Sequence, residues 1–334
     1  MSFRTNILMR GLSAALLLSA SAPGVARAEA PKAQTATWVT LGTAGGPPAQ
    51  TARAQIANAL VVNGAVYLFD LGNGALRQMA LAGLKDDQIK GVFLTHHHID
   101  HNASLGPVLI MHWTFGRGVL PIIGPVGTEH LANGLADANA PTVLAAFPTH
   151  GDGPPPLKQT FKATDLAYAL QEQRLVYQDE NVKVSAIGVD HFQIPPSVPV
   201  PQMPDAVAYR IEAGGRTFVY SGDTGLSARL EKLASHADVL ITEVVEPNAV
   251  RAFFERSQNR LPPATREVME HGLTVDHLTP AEIGDIASKA AVGKVVLTHF
   301  VPIPEQSADP EGFTRDIKAR FHGAVVAAHD LDRF

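Results

Sequence analysis

The chain is 334 residues long, with 27 Lys+Arg against 32 Asp+Glu, a formal net charge of −5 and no cysteine. That length suits one large domain with a substantial core. The missing cysteines exclude disulfides and thiolate ligands, and the acidic balance counts against a partner gripped through its phosphates.

At the start, Arg4 and Arg10 bracket the approach to an apolar stretch over 11–22, and Ala26-Arg27-Ala28 has the small-x-small pattern of a signal-peptidase site. The stretch is shorter than the roughly 20 residues a spanning helix needs, so residues 1–28 read as a secretory signal cleaved after Ala28. Loss of Arg4, Arg10 and Arg27 leaves 24 Lys+Arg against 32 Asp+Glu, a formal −8. The expected product is periplasmic or secreted, without a membrane partner, and residues 29–334 are read as a single domain.

Strand-like and helix-like segments then alternate. Residues 38–41 read as a strand, and 56–62 and 66–70 as a strand pair turned by Asn63-Gly64. A helix over 74–81 leads to the apolar strand 91–94, followed by a helix over 103–115, a strand over 120–123 and a helix over 127–137. Between 140 and 173, Pro141, Pro148, Gly151, Gly153 and Pro154-Pro155-Pro156 predict a surface insertion rimming the site. Strands resume at 182–189, 206–212 and 217–220, the last two joined by Gly214-Gly215. A helix over 227–235, a strand over 239–242, a helix over 280–291, a strand over 295–297, a helix over 310–321 and a strand over 324–327 complete the chain. Two sheets packed face to face with helices outside, a four-layer αββα sandwich of mixed α/β (α+β) class, accommodates this order.

The chemistry concentrates at the end of the 91–94 strand, in His96-His97-His98-Ile99-Asp100-His101. Read as H-x-H-x-D-H, the segment separates two small groups of ligands suited to borderline cations. Asp190-His191, Ser221-Gly222-Asp223-Thr224 and Thr298-His299 each follow a strand. A lone histidine after a strand is usually a surface or satisfied core residue; three such ends together with the hexamer point to one site.

With Leu41-Gly42-Thr43-Ala44-Gly45, Asp70-Leu71-Gly72-Asn73-Gly74 and His277-Leu278-Thr279, these segments resemble the metallo-β-lactamase fold superfamily, in its ribonuclease Z and arylsulfatase-like branch. The resemblance spans nearly all of the mature chain. It implies that His96, His98 and His191 hold one metal ion, that Asp100, His101 and His299 hold another, and that Asp223 bridges them. Two divalent ions are implied, zinc first, with manganese or iron as alternatives. They would supply hydroxide as the nucleophile, with Asp100 orienting it and taking its proton. His277 is implied as the general acid at the leaving group, while Thr279 and Pro280 also suit the start of a helix. His97 and Ile99 are read as shaping the turn.

Two departures matter. Thr242 stands where ribonuclease Z typically has the histidine of a His-Glu pair, leaving Glu243, and the 141–173 segment is only sparsely basic. Both, with export and the −8 charge, count against tRNA 3′ processing. The expected activity is hydrolysis of a small anionic ester, arylsulfatase-like or phosphodiesterase-like. A lactone or carboxylic ester on the same site is the nearest alternative; tRNA cleavage, β-lactam hydrolysis and a catalytically silent metal-binding homologue follow. The expected partner is a small-molecule ester rather than nucleic acid, and assembly is open between monomer and homodimer. Trp113, Phe115 and the 192–196 stretch are candidate rims for the substrate, and Arg117 a candidate contact for an anion, with core packing and a solvated loop as the respective alternatives.

Overall fold

The computed structural model describes residues 35–145, 155–194, 200, 202–256 and 262–334. The expected signal segment 1–28 lies outside these residues. All described residues belong to one unit spanning 34–334.

Alternation of side chains along each strand sorts the sequence into layers. In β3 (Ala65–Leu71), Tyr67 and Phe69 face one core while Val66 and Leu68 face another, as a period of two requires. The first sheet is ordered β1 (Ala36–Gly42), β2 (Ala57–Val62), β3, β4 (Ile89–Phe93), β5 (Leu120–Gly124) and β6 (Phe161–Asp165). The β1–β3 part is antiparallel and the β3–β6 part parallel. The β2–β3 turn uses Asn63 at φ 52° and Gly64 at φ 84°, both positive as a tight hairpin turn of the favoured hand demands.

The second sheet holds β7 (Arg174–Gln178), β8 (Val182–Gly188), β9 (Val207–Ala213), β10 (Arg216–Tyr220), β11 (Val239–Val245), β12 (Lys294–Val301) and β13 (Ala324–Ala327) as consecutive neighbours. It too passes from antiparallel to parallel, at β10. Between the sheets, Trp38, Phe69 and Phe93 pack against Tyr209, Phe218 and Tyr220, with Phe69 and Phe93 stacked at 4.9 Å between ring centroids. Truncating Phe69 to Ala here costs about 3–5 kcal/mol, because the cavity cannot refill.

Helices cover both outer faces. On the first sheet, α1 (Ala75–Leu81), α3 (Leu105–Phe115) and α4 (Thr128–Ala138) bury Met79, Leu109 and Ala132 against Leu68, Val92 and Ile122. On the second, α6 (Ala228–Leu233), α9 (Pro280–Lys289) and α10 (Gly312–Arg320) bury Leu230, Ile286 and Ile317 against Val219, Leu240 and Leu297. The result is the expected four-layer αββα sandwich. Among the described residues no helix is long and apolar enough to cross a membrane.

Several elements depart from expectation. Part of the 140–173 segment is core rather than surface insertion: after the short α5 (Ala140–Leu144), Leu157 and Phe161 are buried and β6 pairs in parallel with β5. The prolines before it and the polar, half-exposed face of an edge strand concealed this strand. Residues 146–154 of that segment lie outside the described residues. The helix expected over 103–115 is present as α3, and a separate short α2 (Ile99–Asn102) precedes it, placing Asp100 and His101 in a helical turn with His98 at its start. Finally, two helices without a sequence assignment, α7 (Pro247–Arg256) and α8 (Pro263–Val275), follow β11.

Candidate metal centre and active site

The ends of β4, β8 and β10 and the middles of β11 and β12 deliver the site. Two devices aim side chains that a regular strand would bury. Between Thr242↔Leu297 and Val244↔Phe300 one residue of β11, Glu243, faces two of β12, Thr298 and His299. This bulge redirects side chains, and His299 takes φ 42° within it. His299 therefore lies inside β12, not at the end of a strand. At the β10 exit, Gly222 sits at φ 58°, and a Cβ there would collide with Thr95; only glycine combines that backbone with so close an approach.

Three ring nitrogens converge in the first donor group. His98 Nδ1 lies 3.0 Å from His96 Nε2 and 3.3 Å from His191 Nε2, and Asp223 Oδ2 is 3.9 Å from His96 Nε2. In the second group, Asp100 Oδ2 lies 3.6 Å from His101 Nε2 and 3.4 Å from His299 Nε2. Asp223 Oδ2 reaches both of those imidazoles, at 3.3 and 3.2 Å, so one carboxylate oxygen faces both groups. The structure thus brings together all seven residues expected as ligands, in the expected grouping.

Outer partners dictate which nitrogen each ring offers. Thr95 donates its hydroxyl to Asp70 Oδ2 at 2.8 Å and so receives His96 Nδ1–H at 3.1 Å. His191 donates Nδ1–H to the Asp276 carbonyl at 2.8 Å, and His101 donates Nδ1–H to Asp70 Oδ2 at 2.9 Å. Each bond fixes the tautomer that leaves the Nε2 lone pair free. Burial pushes the His96, His98 and His191 imidazoles below their ordinary values, His191 to about 3, so these rings are neutral and ready to coordinate. Burial also acts downward on His101, but the Asp223 and Asp70 carboxylates outweigh it and raise this imidazole. Burial acts upward on Asp100, yet the nearby His299 and His101 imidazoles hold it at about 2.

His101 Nε2, both ring nitrogens of His299, and Asp223 Oδ1 are buried without a hydrogen-bond partner. Buried polar atoms ordinarily have one. Orphaned nitrogens and carboxylate oxygens aimed at common points are the arrangement a divalent ion satisfies, and His96/His98/His191/Asp223 and Asp100/His101/His299 each have donor atoms close enough to share one. An all-nitrogen and oxygen set suits zinc, manganese or iron.

His277 stands beside both groups. Its Nδ1 is hydrogen-bonded to Glu243 Oε2, while Glu243 Oε1 accepts the Thr224 amide at 2.6 Å. Burial lowers the imidazole, but the Glu243 and Asp223 charges prevail and raise it to about 9. Nδ1 is thereby committed, and Nε2 is left for an occupant of the cleft. Thr279 caps α9, its hydroxyl accepting the Glu282 amide and its own amide donating to Glu282 Oε2 at 2.9 Å, with Pro280 in the first turn. The cap and the histidine thus coexist.

The pairing of Glu243 with His277 escapes the sequence, which leaves Glu243 as the remnant of a His-Glu pair. So does Asp70, which accepts bonds from Thr95, His101 and Tyr220; its signal was an acid at a strand end, like the others. Other expectations are corrected. Trp113 is buried and donates to the Pro155 carbonyl. Phe115 is exposed away from the cleft, and Arg117 bonds the Phe115 and Gly116 carbonyls of its own turn. His97, by contrast, is read from the sequence as shaping the turn rather than as a ligand, and it faces the Pro125 carbonyl at 3.4 Å.

Two cavities adjoin at the site. The inner one, about 260 Å³, is lined by Pro47, Asp100, Asp223 and His299 among others. The outer one, about 670 Å³, is walled by Phe192, Ile194, Met269 and Leu273. His98, Leu273 and His277 line both. Phe192 and Ile194 contribute to this wall as expected, and among the described residues Met269, Gly272 and Leu273 of α8 contribute to it while none of 140–173 does; Pro195 and Pro196 lie outside the described residues.

Residues 66–300 match the protein family described as Beta-lactamase superfamily domain. A ribonuclease Z of Mycolicibacterium paratuberculosis is 30% identical over 301 residues, covering 88% of this chain and 96% of that protein. Human tRNase Z, short form, superposes with a TM-score of 0.60 at 20% identity, over 89% of this chain and 98% of that one. Zn²⁺-bound PqqB from Methylobacterium extorquens superposes with a TM-score of 0.61 at 18% identity, over 89% and 99% of the two chains.

Proposed function

The chain belongs to the Beta-lactamase superfamily domain family and is a hydrolase of the metallo-β-lactamase fold; we propose that it is exported and cleaves a small, partly apolar ester of sulfuric or phosphoric acid. The observation that carries this reading is the wall of the cleft beside the donors: Phe192, Ile194, Met269 and Leu273, with no Lys or Arg among the described lining residues. A polyanion such as RNA needs cations along its path; a small ester needs only a place for one charged head and one apolar body.

In this reading His96, His98 and His191 hold one divalent ion, Asp100, His101 and His299 a second, and Asp223 faces both. Ions bound there supply Lewis acidity toward the ester and lower the pKa of water. Asp100 orients the attacking water by accepting a hydrogen bond; a carboxyl held at about 2 suits that role better than keeping a proton. His277, positioned by Glu243, gives the leaving oxygen a proton from Nε2.

The competing reading, cleavage of a tRNA 3′ trailer, is favoured by the 30% identity to a ribonuclease Z. A panel of 4-nitrophenyl sulfate, bis(4-nitrophenyl) phosphate, 4-nitrophenyl acetate, a γ-lactone and a 3′-extended tRNA separates these readings. The highest kcat/KM is expected on a sulfur or phosphorus ester. Acetate or lactone as the best substrate moves the reaction to carbon, and tRNA as the best substrate replaces the proposal. Export is tested by sequencing the amino terminus of the natural product, expected at Glu29.

A further inference from the structure

The two adjoining cavities differ in chemistry as well as size, and His277 stands on their border. The inner one contains the donors Asp100, Asp223 and His299. The outer one is bounded on one side by Phe192, whose ring lies 4.6 Å from that of His191 and 5.2 Å from that of His98. Met269, Gly272 and Leu273 of α8 bound it on the other. The Phe192 side is clamped to the end of α8: Gln193 donates its amide to Asp276 Oδ1 at 3.2 Å and its side chain to the Val275 carbonyl. His191 is bonded to the Asp276 carbonyl, so Asp276, which helps to close the wall, also orients a donor of the centre. Met269 nevertheless keeps 44% of its surface exposed, apolar area that an apolar occupant would cover.

We infer that the outer chamber is the leaving-group subsite, selecting esters whose alcohol or phenol is uncharged, bulky and apolar, with the acid portion confined to the inner cavity. This rests on the hydrolytic reading above and adds an orientation to it. The donor of the proton to the leaving oxygen must lie between the scissile bond and the leaving group, and His277 is one of the three residues that line both cavities. With its Nδ1 held by Glu243, only Nε2 serves that border. Hydrolysis then balances as follows. The oxygen of water bonds to the central atom of the ester, and the bond from that atom to the leaving oxygen breaks with its electron pair going to oxygen. The His277 Nε2 proton completes the alcohol. A proton lost by the attacking water restores His277, and the acid product leaves from the inner side. Phe192, Met269 and Leu273 are thereby specificity residues, acting on the half of the substrate that is released. Among the described residues, the ionisable lining of the outer chamber, apart from histidines, is Asp276, which disfavours an anionic leaving group.

The direct test needs no turnover. Binding of 4-cyclohexylphenol to the metal-loaded protein, measured by calorimetry, is expected and should weaken about tenfold in Phe192→Ala and in the partly exposed Met269→Ser, the loss of roughly one buried apolar contact surface each. No binding, or equal binding by wild type and both variants, overturns the assignment. The kinetic test uses esters of 4-methyl-, 4-tert-butyl- and 4-cyclohexylphenol, whose phenols are of similar acidity, on the acid head preferred in the panel above. kcat/KM should rise about tenfold or more along the series and flatten in Met269→Ser. A series that stays flat or falls as the phenol grows overturns the proposal. Binding of the phenol without hydrolysis of any ester would defeat the hydrolytic reading while leaving the apolar subsite standing, so the two failures are distinguishable.

Discussion

Two aspartates, Asp70 and Asp179, do similar work at different places in the sandwich and with different consequences. Each links the two sheets by collecting donors from both. Asp70, at the end of β3, accepts the Thr95 amide and hydroxyl at 2.8 Å each, Tyr220 of the second sheet at 2.7 Å, and His101 at 2.9 Å. Asp179, in the β7–β8 turn, accepts Tyr67 of the first sheet at 2.6 Å, Tyr177 at 2.9 Å, and the Asn181 and Val182 amides at 2.9 Å each. Beyond the Asp179 donors the bonds run outward: Tyr67 accepts the Asn181 side-chain amide at 3.1 Å, and Asn181 accepts that of the exposed Asn63 at 2.9 Å. One of the Asp70 donors is an imidazole whose other nitrogen faces the donor centre. The same inter-sheet clasp is structural at one place and, through a single histidine, part of the chemistry at the other.

The largest break in that comparison is at Asp223, which faces both donor groups. Asp223→Ala is expected to abolish binding of both ions by elemental analysis and to lower turnover about 10³-fold or more. Dialysis against dipicolinate should remove turnover in wild type, with recovery on adding zinc or manganese. It should also lower the melting temperature, since a ligand present at about 1,000 times its Kd contributes roughly 4 kcal/mol. Next in size, His277→Ala should reduce kcat about 10²- to 10⁴-fold while retaining both ions; unchanged kcat on the best ester removes His277 from the reaction.

The two aspartates can then be set against each other directly. Asp70→Asn should weaken the ion held by Asp100, His101 and His299 about 10- to 100-fold, as loss of an outer partner to a ligating histidine does. The ion at His96, His98 and His191 should be less affected. Asp179→Asn should leave ion content and kcat within about twofold and cost roughly 1 kcal/mol of stability after allowance for its exposure, about 2 °C in melting temperature. The smallest effect is in pH. Burial pushes the Asp179 carboxyl up, but the bonds from Tyr67, Asn181, Val182 and Tyr177 prevail and hold it below its ordinary value. A group lowered in the folded state contributes its stability fully above the unfolded pKa of about 3.9 and loses it as pH falls through the folded value. Acid melts should therefore show a shallower slope below about pH 4 in Asp179→Asn than in wild type; parallel slopes would remove Asp179 from the acid response.

Much of the layer order was legible because it depends on local patterns. The apolar alternation of β3 and the Asn63-Gly64 and Gly214-Gly215 turns can be read in short windows, as can the Thr279-Pro280 cap. The hexamer at 96–101 was legible for the same reason: five of its six residues are of metal-ligating type within one short segment. The edge strand β6 was not, since a strand paired on one side need bury only half its side chains, and the prolines before it signal irregular structure more strongly than its alternation signals a sheet.

From the sequence alone come the two-sheet alternation, the absence of thiolate chemistry, the seven candidate donors and the histidine before the α9 cap, because each is a property of composition or of neighbours in the chain. Only the tertiary structure decides what those residues face. The bulge that turns His299 inward exists only when β12 lies beside β11, and Glu243 reaches His277 across 34 residues of sequence. Asp70 becomes an outer partner only when β3, the turn after β4, and β10 are brought together. The apolar chamber likewise needs the loop after β8 to meet α8. These contacts depend on register and on sheet-to-sheet packing, and neither is encoded in a pattern of adjacent residues.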